Sequence, residues 1–443
     1  MFIDFLIKIF EENKSNTAFI YREEEYSYEW LLRKYEHYHS YLEEVGINPF
    51  SIVAVRSDFN PESVALMLAL IQNGNCFVPI SYAVKTEQEF YEIAQVEHLL
   101  EFKNNQFEYE ELRHEAIHEI LLDLKEKEHP GLILFSSGST GKSKAAVHDF
   151  LPLLEKFKVR RNTLRTITFL LFDHIGGVNT LLYILSNAGT IVTLEDRSPD
   201  NVCRLIEKYN VELLPTSPTF ISLILISKAY QKYDISSLKI ATYGTEAMPE
   251  STLKSFHKLF PDIKLKQTYG LSELGILRSK SKSDDSLWVK VGGEDYDIKI
   301  VDGILFIKAK SAMMGYLNAK SPIDKDGWFN TQDRVETDGE WIKILGRESD
   351  IINVGGQKVY PAEVESVLTE IENINSASVY SVENPLLGFV VGAKVSLENK
   401  EDLRSLKNKV RKYCKNKLES FKVPVHIEIV DAAMVSPRFK KIR

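Results

Sequence analysis

Cysteine is nearly absent from this chain, with three residues among 443. Three thiols cannot build a disulfide framework, which points to a reducing, cytoplasmic compartment. Long hydrophobic runs are missing as well. The most apolar stretch near the start, residues 1–10, is broken by Asp4 and Lys8 and has no small-residue cleavage site. It reads as an amphipathic helix docked on the body, not as a signal peptide. No run approaches the ~20 apolar residues that a membrane span requires. Positive charge is in the minority, 55 Lys and Arg against 63 Asp and Glu for a net of -8, which argues against a nucleic-acid binder. No internal repeat or low-complexity tract occurs. Against these absences stands a 44% hydrophobic content, enough for a large core and for two or three domains.

From residue 130 short apolar runs alternate with longer mixed segments. The runs are 131–135, 190–194, 211–215, 239–244 and 263–270, and helical periodicity fills 199–209, 218–230 and 249–260. Residues 51–80 form another strand–helix–strand unit. Strands alternating with helices predict α/β sheets with helices on their faces, two sheets of one large domain. Beyond residue 285 the texture changes to short alternating strands, with hairpins expected at 298–309 and 337–347. A final segment carries a helix from Pro361, strands at 376–382 and 390–397, a charged helix at 400–419 and a strand at 426–431. The division is expected near Gly346–Asp350, giving a large domain over 1–348 and a small α+β domain over 349–443.

The strongest local signal is residues 132–150. An apolar strand runs into Ser136-Ser137-Gly138-Ser139-Thr140-Gly141, followed by Lys142 and Lys144. Unhindered backbone amides, hydroxyl donors and two ammonium groups suit an anionic phosphate chain. A P-loop triphosphatase is one alternative, but Ser136 occupies the first glycine of its GxxxxGK[ST] pattern and no strand ending in a metal-binding Asp follows.

This stretch resembles the phosphate loop of the adenylate-forming superfamily, [ST]SG[ST]TGxPKG, with Ser143 for the proline and Ala145 for the last glycine. Further motifs fall in order. Tyr269-Gly270-Leu271-Ser272-Glu273 is similar to YGxTE, and Tyr243-Gly244-Thr245-Glu246 to the strand end that contacts adenine. Residues 327–333 resemble GWxxTGD, with Gln332 for glycine. Gly346–Ile352 and Gly356–Glu363 resemble the hinge stretch, with Ser349 for its usual Asp. Lys440-Lys441-Ile442-Arg443 resembles GK[IV]xR. The chain is thus identified as a member of this superfamily, in its acyl/aryl-CoA synthetase branch, and is similar in compactness to the o-succinylbenzoate–CoA ligases.

The resemblance implies a fold of α/β sheets plus a small β-barrel-like region, capped by a mobile C-terminal α+β domain. It implies that a carboxylate is activated with ATP to an acyl-AMP, with release of pyrophosphate, and then passed to a thiol. Residues 136–141 and Lys144 would hold the β- and γ-phosphates, with Thr140 and Glu273 near Mg²⁺. Ser272 would face the α-phosphate, Tyr269 the adenine, and Asp333 with Arg347 the ribose hydroxyls. Lys441 would be the mobile lysine bridging carboxylate and α-phosphate. A loop around Gly355 and Gly356 would replace it for the thiol step. The cofactors implied are ATP, Mg²⁺ and CoA, or the phosphopantetheine of an acyl-carrier protein. An amino-acid adenylating enzyme, or a non-catalytic homologue that keeps nucleotide binding, are the other readings.

His174 chooses between branches. Phe172-Asp173-His174-Ile175-Gly176-Gly177 matches the HxxG stretch of acyl- and aryl-CoA synthetases, whose histidine lies near the acyl pocket. It also resembles the FDxS of peptide synthetases, whose Asp holds an amino group. The interval from His174 to Gly189 fits the CoA-synthetase pattern, so an acid without an α-amino group is expected. His114-Glu115-Ala116-Ile117-His118 is a literal HExxH zinc motif. It sits in an acidic run without a third ligand and reads as part of a solvated amphipathic helix. Cys76, Cys203 and Cys414 read as ordinary buried or surface thiols.

Overall fold

The computed structural model describes residues 2–112, 114–137, 143–431, 435–436 and 441, with Ser137 as backbone alone. Two seven-stranded sheets dominate the first 316 residues. The first orders its strands Lys264–Gln267, Ile240–Tyr243, Leu213–Thr216, Arg165–Ile167, Thr190–Val192, Thr17–Tyr21 and Glu24–Ser27; all pair in parallel except the last. The second runs Gly315–Tyr316, Ser143–Asp149, Gly131–Ser137, Cys76–Ile80, Ile52–Arg56, His98–Lys103 and Gln106–Glu111, with a parallel centre and antiparallel edges.

One apolar core joins the two sheets. It takes Phe19 and Ile191 from the first, Val53, Phe77 and Leu134 from the second, and residues of the helices Pro61–Gln72 and Ile175–Leu185 between them. The helix Pro61–Gln72 is apolar on every side and almost wholly buried, as a helix between two sheets must be. Its start is set locally by the Asn60 side chain, which accepts from Ser63 N–H, and by Pro61 at the first helical position. Ser198-Pro199 and Ser217-Pro218 begin their helices in the same way, using an oxygen acceptor for an orphan amide and a proline where no amide is needed. The helix Asp4–Glu12 buries Leu6, Ile9 and Phe10 against the body, as its amphipathic pattern predicts.

Beyond residue 278 a six-stranded antiparallel sheet follows. Its hairpin Tyr296–Val301 to Ile304–Ala309 turns on Asp302-Gly303, both at positive φ, the geometry that fits the strand twist. The strands Phe329–Asp338 and Trp341–Arg347 form the second expected hairpin. A separate small C-terminal domain has its own five-stranded sheet and a core drawn from residues 352–427. Its charged helix, Leu403–Cys414, is shorter than the expected 400–419.

Two expectations need correction or closure. Residues 108–128 do not form one helix: the strand Gln106–Glu111 runs into them, followed by irregular chain and a helix from Glu119. His114 meets the Val96 carbonyl through Nδ1 at 2.9 Å, while His118 caps the helix by accepting from Ile120 N–H. The two imidazoles are therefore not on one helix face. The alternation of the strand's side chains, partly buried Phe107 and Tyr109 against exposed glutamates, outweighs helix propensity there. The P-loop alternative also fails on topology. The segment after residue 142 is an antiparallel strand, Ser143–Asp149, and not the helix whose N-terminus a P-loop needs.

Candidate active site

A cavity of about 850 Å³ opens where the edges of the first sheet, the six-stranded sheet and the small domain meet. Most of the residues expected to act together line it: Ser136, His174, Gly244, Thr245, Glu246, Tyr269, Gly270, Ser272, Glu273, Asp333, Arg347 and Lys441. Gly138, Ser139, Thr140, Gly141 and Lys440 lie outside the described residues. Tyr243 does not reach the cavity; burial of its ring in the core below pushes its phenol up.

Asp333 is the best-defined group. Its strand places it under the ring of Tyr269, whose hydroxyl donates to Asp333 Oδ2. The Arg347 guanidinium lies opposite, Nε to Oδ1 at 3.5 Å, because the hairpin registers Asp333 against Arg347. Asp333 N–H donates to Thr331 Oγ1 (3.0 Å), whose hydroxyl donates to the Leu305 carbonyl. Gln332, between them, takes a positive φ of 59°. Burial holds the Asp333 carboxyl above the ordinary carboxylate range, with Arg347 and Tyr269 opposing it. A carboxylate with a hydroxyl donor on one oxygen and a guanidinium on the other can accept from a diol.

Glu273 sits on the side of Lys144. It accepts from the Tyr316 hydroxyl at 2.6 Å, and the Lys144 ammonium lies over the Tyr316 ring at 5.4 Å. Tyr316 thus ties the loop's lysine to the carboxylate. No motif pointed to it, because its place follows from the pairing of Gly315–Tyr316 with Ala146 and Val147. His148, fully buried, meets the Ser272 carbonyl through Nε2 at 2.6 Å, and burial lowers its pKa so that it stays neutral. It fixes the turn that carries Ser272 and Glu273.

Thr245 sits at φ 73°, strained for a β-branched residue and typical of functional turns. Its neighbour Glu246 accepts from Thr219 N–H (2.9 Å) and from the Lys441 backbone N–H (3.1 Å). The Lys441 ammonium donates to Glu365 Oε2 at 2.9 Å. Glu365 is buried in the small domain's helix Pro361–Leu368, and its other oxygen accepts from Val379 N–H at 3.0 Å. This carboxylate partner of Lys441 was not foreseen. Gly355 and Gly356 form the turn between strands Ile352–Val354 and Gln357–Val359, both at positive φ. They do not line the cavity, whereas Lys441 does.

His174 caps the helix Ile175–Leu185, its Nδ1 accepting from Gly176 N–H at 3.0 Å, which leaves the proton on Nε2. Asp173 turns the other way and accepts from Ser81 Oγ at 2.9 Å, outside the cavity lining. Gly177 is needed for this packing, since a Cβ there would stand 2.0 Å from the Leu171 carbonyl oxygen.

The AMP-binding enzyme family matches residues 8–317, and the family's C-terminal domain matches residues 363–440. The chain belongs to the AMP-binding enzyme family. Within it, indoleacetate–CoA ligase of Aromatoleum aromaticum is 26% identical over 86% of this chain and 84% of its own length. A methyl-dioxo-octahydroindenyl-propanoyl:CoA ligase of Rhodococcus jostii is 26% identical over 70% of this chain and 63% of its own. The match thus spans under two thirds of that relative's length. The fold agrees with that of solved family members. An anthranilate CoA ligase in complex with anthranoyl-AMP superposes with a TM-score of 0.82 at 19% identity, covering 99% of this chain and 95% of the other. The o-succinylbenzoate CoA synthetase of Bacillus subtilis gives 0.77 at 20%, with 98% and 96% covered.

Proposed function

We propose that the chain is an AMP-forming acid–thiol ligase of the acyl/aryl-CoA branch. A carboxylate oxygen attacks the α-phosphorus of ATP, the bond to the β-phosphate oxygen breaks, and pyrophosphate leaves. A thiolate then attacks the acyl carbon and expels AMP. Family membership and the CoA ligases among its relatives support this reading. The observation that carries it is the convergence of Asp333, Glu273, His174 and Lys441 on one cavity.

In this reading Asp333 accepts the ribose hydroxyls and Tyr269 lies against the adenine. Lys441 bridges the acid's carboxylate and the α-phosphate, after leaving Glu365. Such positioning and charge neutralisation provide most of the catalysis for a reaction at phosphorus. Glu273 with Thr140 would hold Mg²⁺. One carboxylate fits an ion that takes its remaining ligands from phosphates and water, and the described residues hold no cluster of three or more metal-ligating side chains. The bound ion would neutralise phosphate charge. For the thiol step the small domain, divided from the large one near residues 348–349, turns so that Gly355 and Gly356 replace Lys441. CoA is the proposed acceptor; a carrier protein is the second reading. Asp173, tied to Ser81 outside the cavity, does not favour an amino-acid substrate.

The test is ATP–pyrophosphate exchange against a panel of carboxylic acids, repeated with CoA. Lys441→Ala should lower exchange roughly a hundredfold or more, the scale of losing a charge that acts in the transition state, while ATP still binds. Full exchange in that variant would sink the assignment, and exchange without a CoA thioester would redirect it to a carrier protein.

A further inference from the structure

One end of the cavity is positively charged and, among the described residues, has no anion of its own. Lys156, Arg161 and Arg278 line it. Lys156 leaves the turn Glu155–Phe157, and its ammonium donates to the Ile276 carbonyl at 2.8 Å. The two arginines stand at the exposed rim. Among the described residues none of the three forms an ion pair. The carboxylates that line the cavity are all engaged elsewhere: Glu246 with Thr219 and Lys441, Glu273 with Tyr316, Asp333 with Tyr269 and Arg347, and Asp350 with Ser349.

This end adjoins the helix that His174 caps, through Arg161 and Asn187. The helix Ile175–Leu185, capped by His174, lines the cavity and spans about 16 Å at 1.5 Å per residue. Asn179 and Tyr183 project from it into the cavity, and Arg161 N–H donates to Asn187 just past its end. The Asn179 Oδ1 and the Thr216 Oγ1, both lining the cavity, are buried without a hydrogen-bond partner. Burial and the two guanidinium groups pull the Lys156 ammonium down to about 8, and no carboxylate opposes them. A withdrawn cation with cationic neighbours is unfavourable unless an anion completes the site.

Resting on the ligase reading, we infer that the acid carries a second anionic group: Lys156, Arg161 and Arg278 bind a distal carboxylate while the other carboxylate is activated beside Lys441. The substrate class is then a dicarboxylic acid, its body lying along the Ile175–Leu185 helix and offering a hydrogen-bond donor to Asn179. Charge-assisted bonds from ammonium and guanidinium groups are the strong ones in such a site. The basic run 156–161 supplies two of the three cations.

The experiment compares aliphatic and aromatic dicarboxylic acids with their half-esters of equal length, which keep one carboxylate. Exchange by the unaltered protein should favour the dicarboxylate roughly tenfold or more in kcat/KM, the scale of one or two charge-assisted bonds. Lys156→Met, and separately the rim variant Arg161→Gln, should lower that ratio. The rim variant guards against a folding failure of the buried change. Equal use of acid and half-ester, or a ratio untouched by both variants, would overturn the inference. So would variants that raise only the KM for CoA, since the cations would then serve the acceptor. Calorimetry with the same pair in the absence of ATP reads the preference without turnover. Preference in binding without exchange would therefore retain the site and discard the ligase, whereas exchange with half-esters alone would do the reverse.

Discussion

Replacing Tyr269 with phenylalanine removes one oxygen and little volume. That oxygen donates to the buried Asp333, and both residues are 6% exposed. A hydrogen bond to an ionised partner contributes about 1.5–3 kcal/mol, against about 0.5–1.5 for a neutral one. Tyr269→Phe should therefore cost about 2 kcal/mol with Asp333 ionised. The remaining donor, Arg347 Nε at 3.5 Å, is too distant to compensate. The sign of the pH dependence follows from burial, which already holds Asp333 above its ordinary value. A raised folded-state value contributes stability below the unfolded value that is lost as pH rises through the folded one. The Tyr269 hydroxyl opposes that rise, so losing it moves the Asp333 carboxyl further up. The penalty should then shrink to about 1 kcal/mol once Asp333 is protonated, the neutral-bond value. All four tryptophans lie before residue 348, so urea unfolding followed by tryptophan fluorescence reads this part of the chain. A penalty equal at neutral and acid pH, or below about 0.5 kcal/mol, the range of an inert substitution, would refute the argument.

Gly177→Ala sets two effects against each other. Helix propensity alone favours the alanine by about 1 kcal/mol, but its Cβ would stand 2.0 Å from the Leu171 carbonyl oxygen. Overpacking against backbone should win, with a net loss of about 2 kcal/mol or more in a urea melt; a more stable variant would show that the helix slides freely. Gly356→Val acts at φ 88° with no atom within 4 Å of the added Cβ. Its strain of about 1–2 kcal/mol stays local to the turn. Pyrophosphate exchange should persist while CoA-thioester formation is blocked, and an equal fall in both would refute domain alternation.

The parts of the molecule that were legible in the sequence share one property: they depend on near neighbours. The helix starts at Asn60-Pro61, Ser198-Pro199 and Ser217-Pro218 are capping chemistry within three residues. The Asp302-Gly303 hairpin is likewise local, and so are the motif runs 269–273 and 327–333. Where local preference met tertiary packing, the reading failed. The 108–128 run has helical composition, yet its first residues pair with the strand His98–Lys103 at the sheet edge. The tail of the charged helix ends at Cys414, whose thiol is buried in the small-domain core.

Sequence by itself determined which groups this chain offers to the proposed nucleotide and carboxylate, because each motif is a short run whose chemistry is carried by its own residue types. Only the tertiary structure decided who meets whom. It set Tyr316 between Lys144 and Glu273, gave Lys441 the buried Glu365 as partner, and turned Asp173 away from the cavity that His174 faces. It also brought Lys156, Arg161 and Arg278 to one wall without an acid among them. Such contacts join residues far apart in the chain, through strand pairing and helix packing that no local pattern encodes. The electrostatic character of that end of the cavity is therefore a property of the fold.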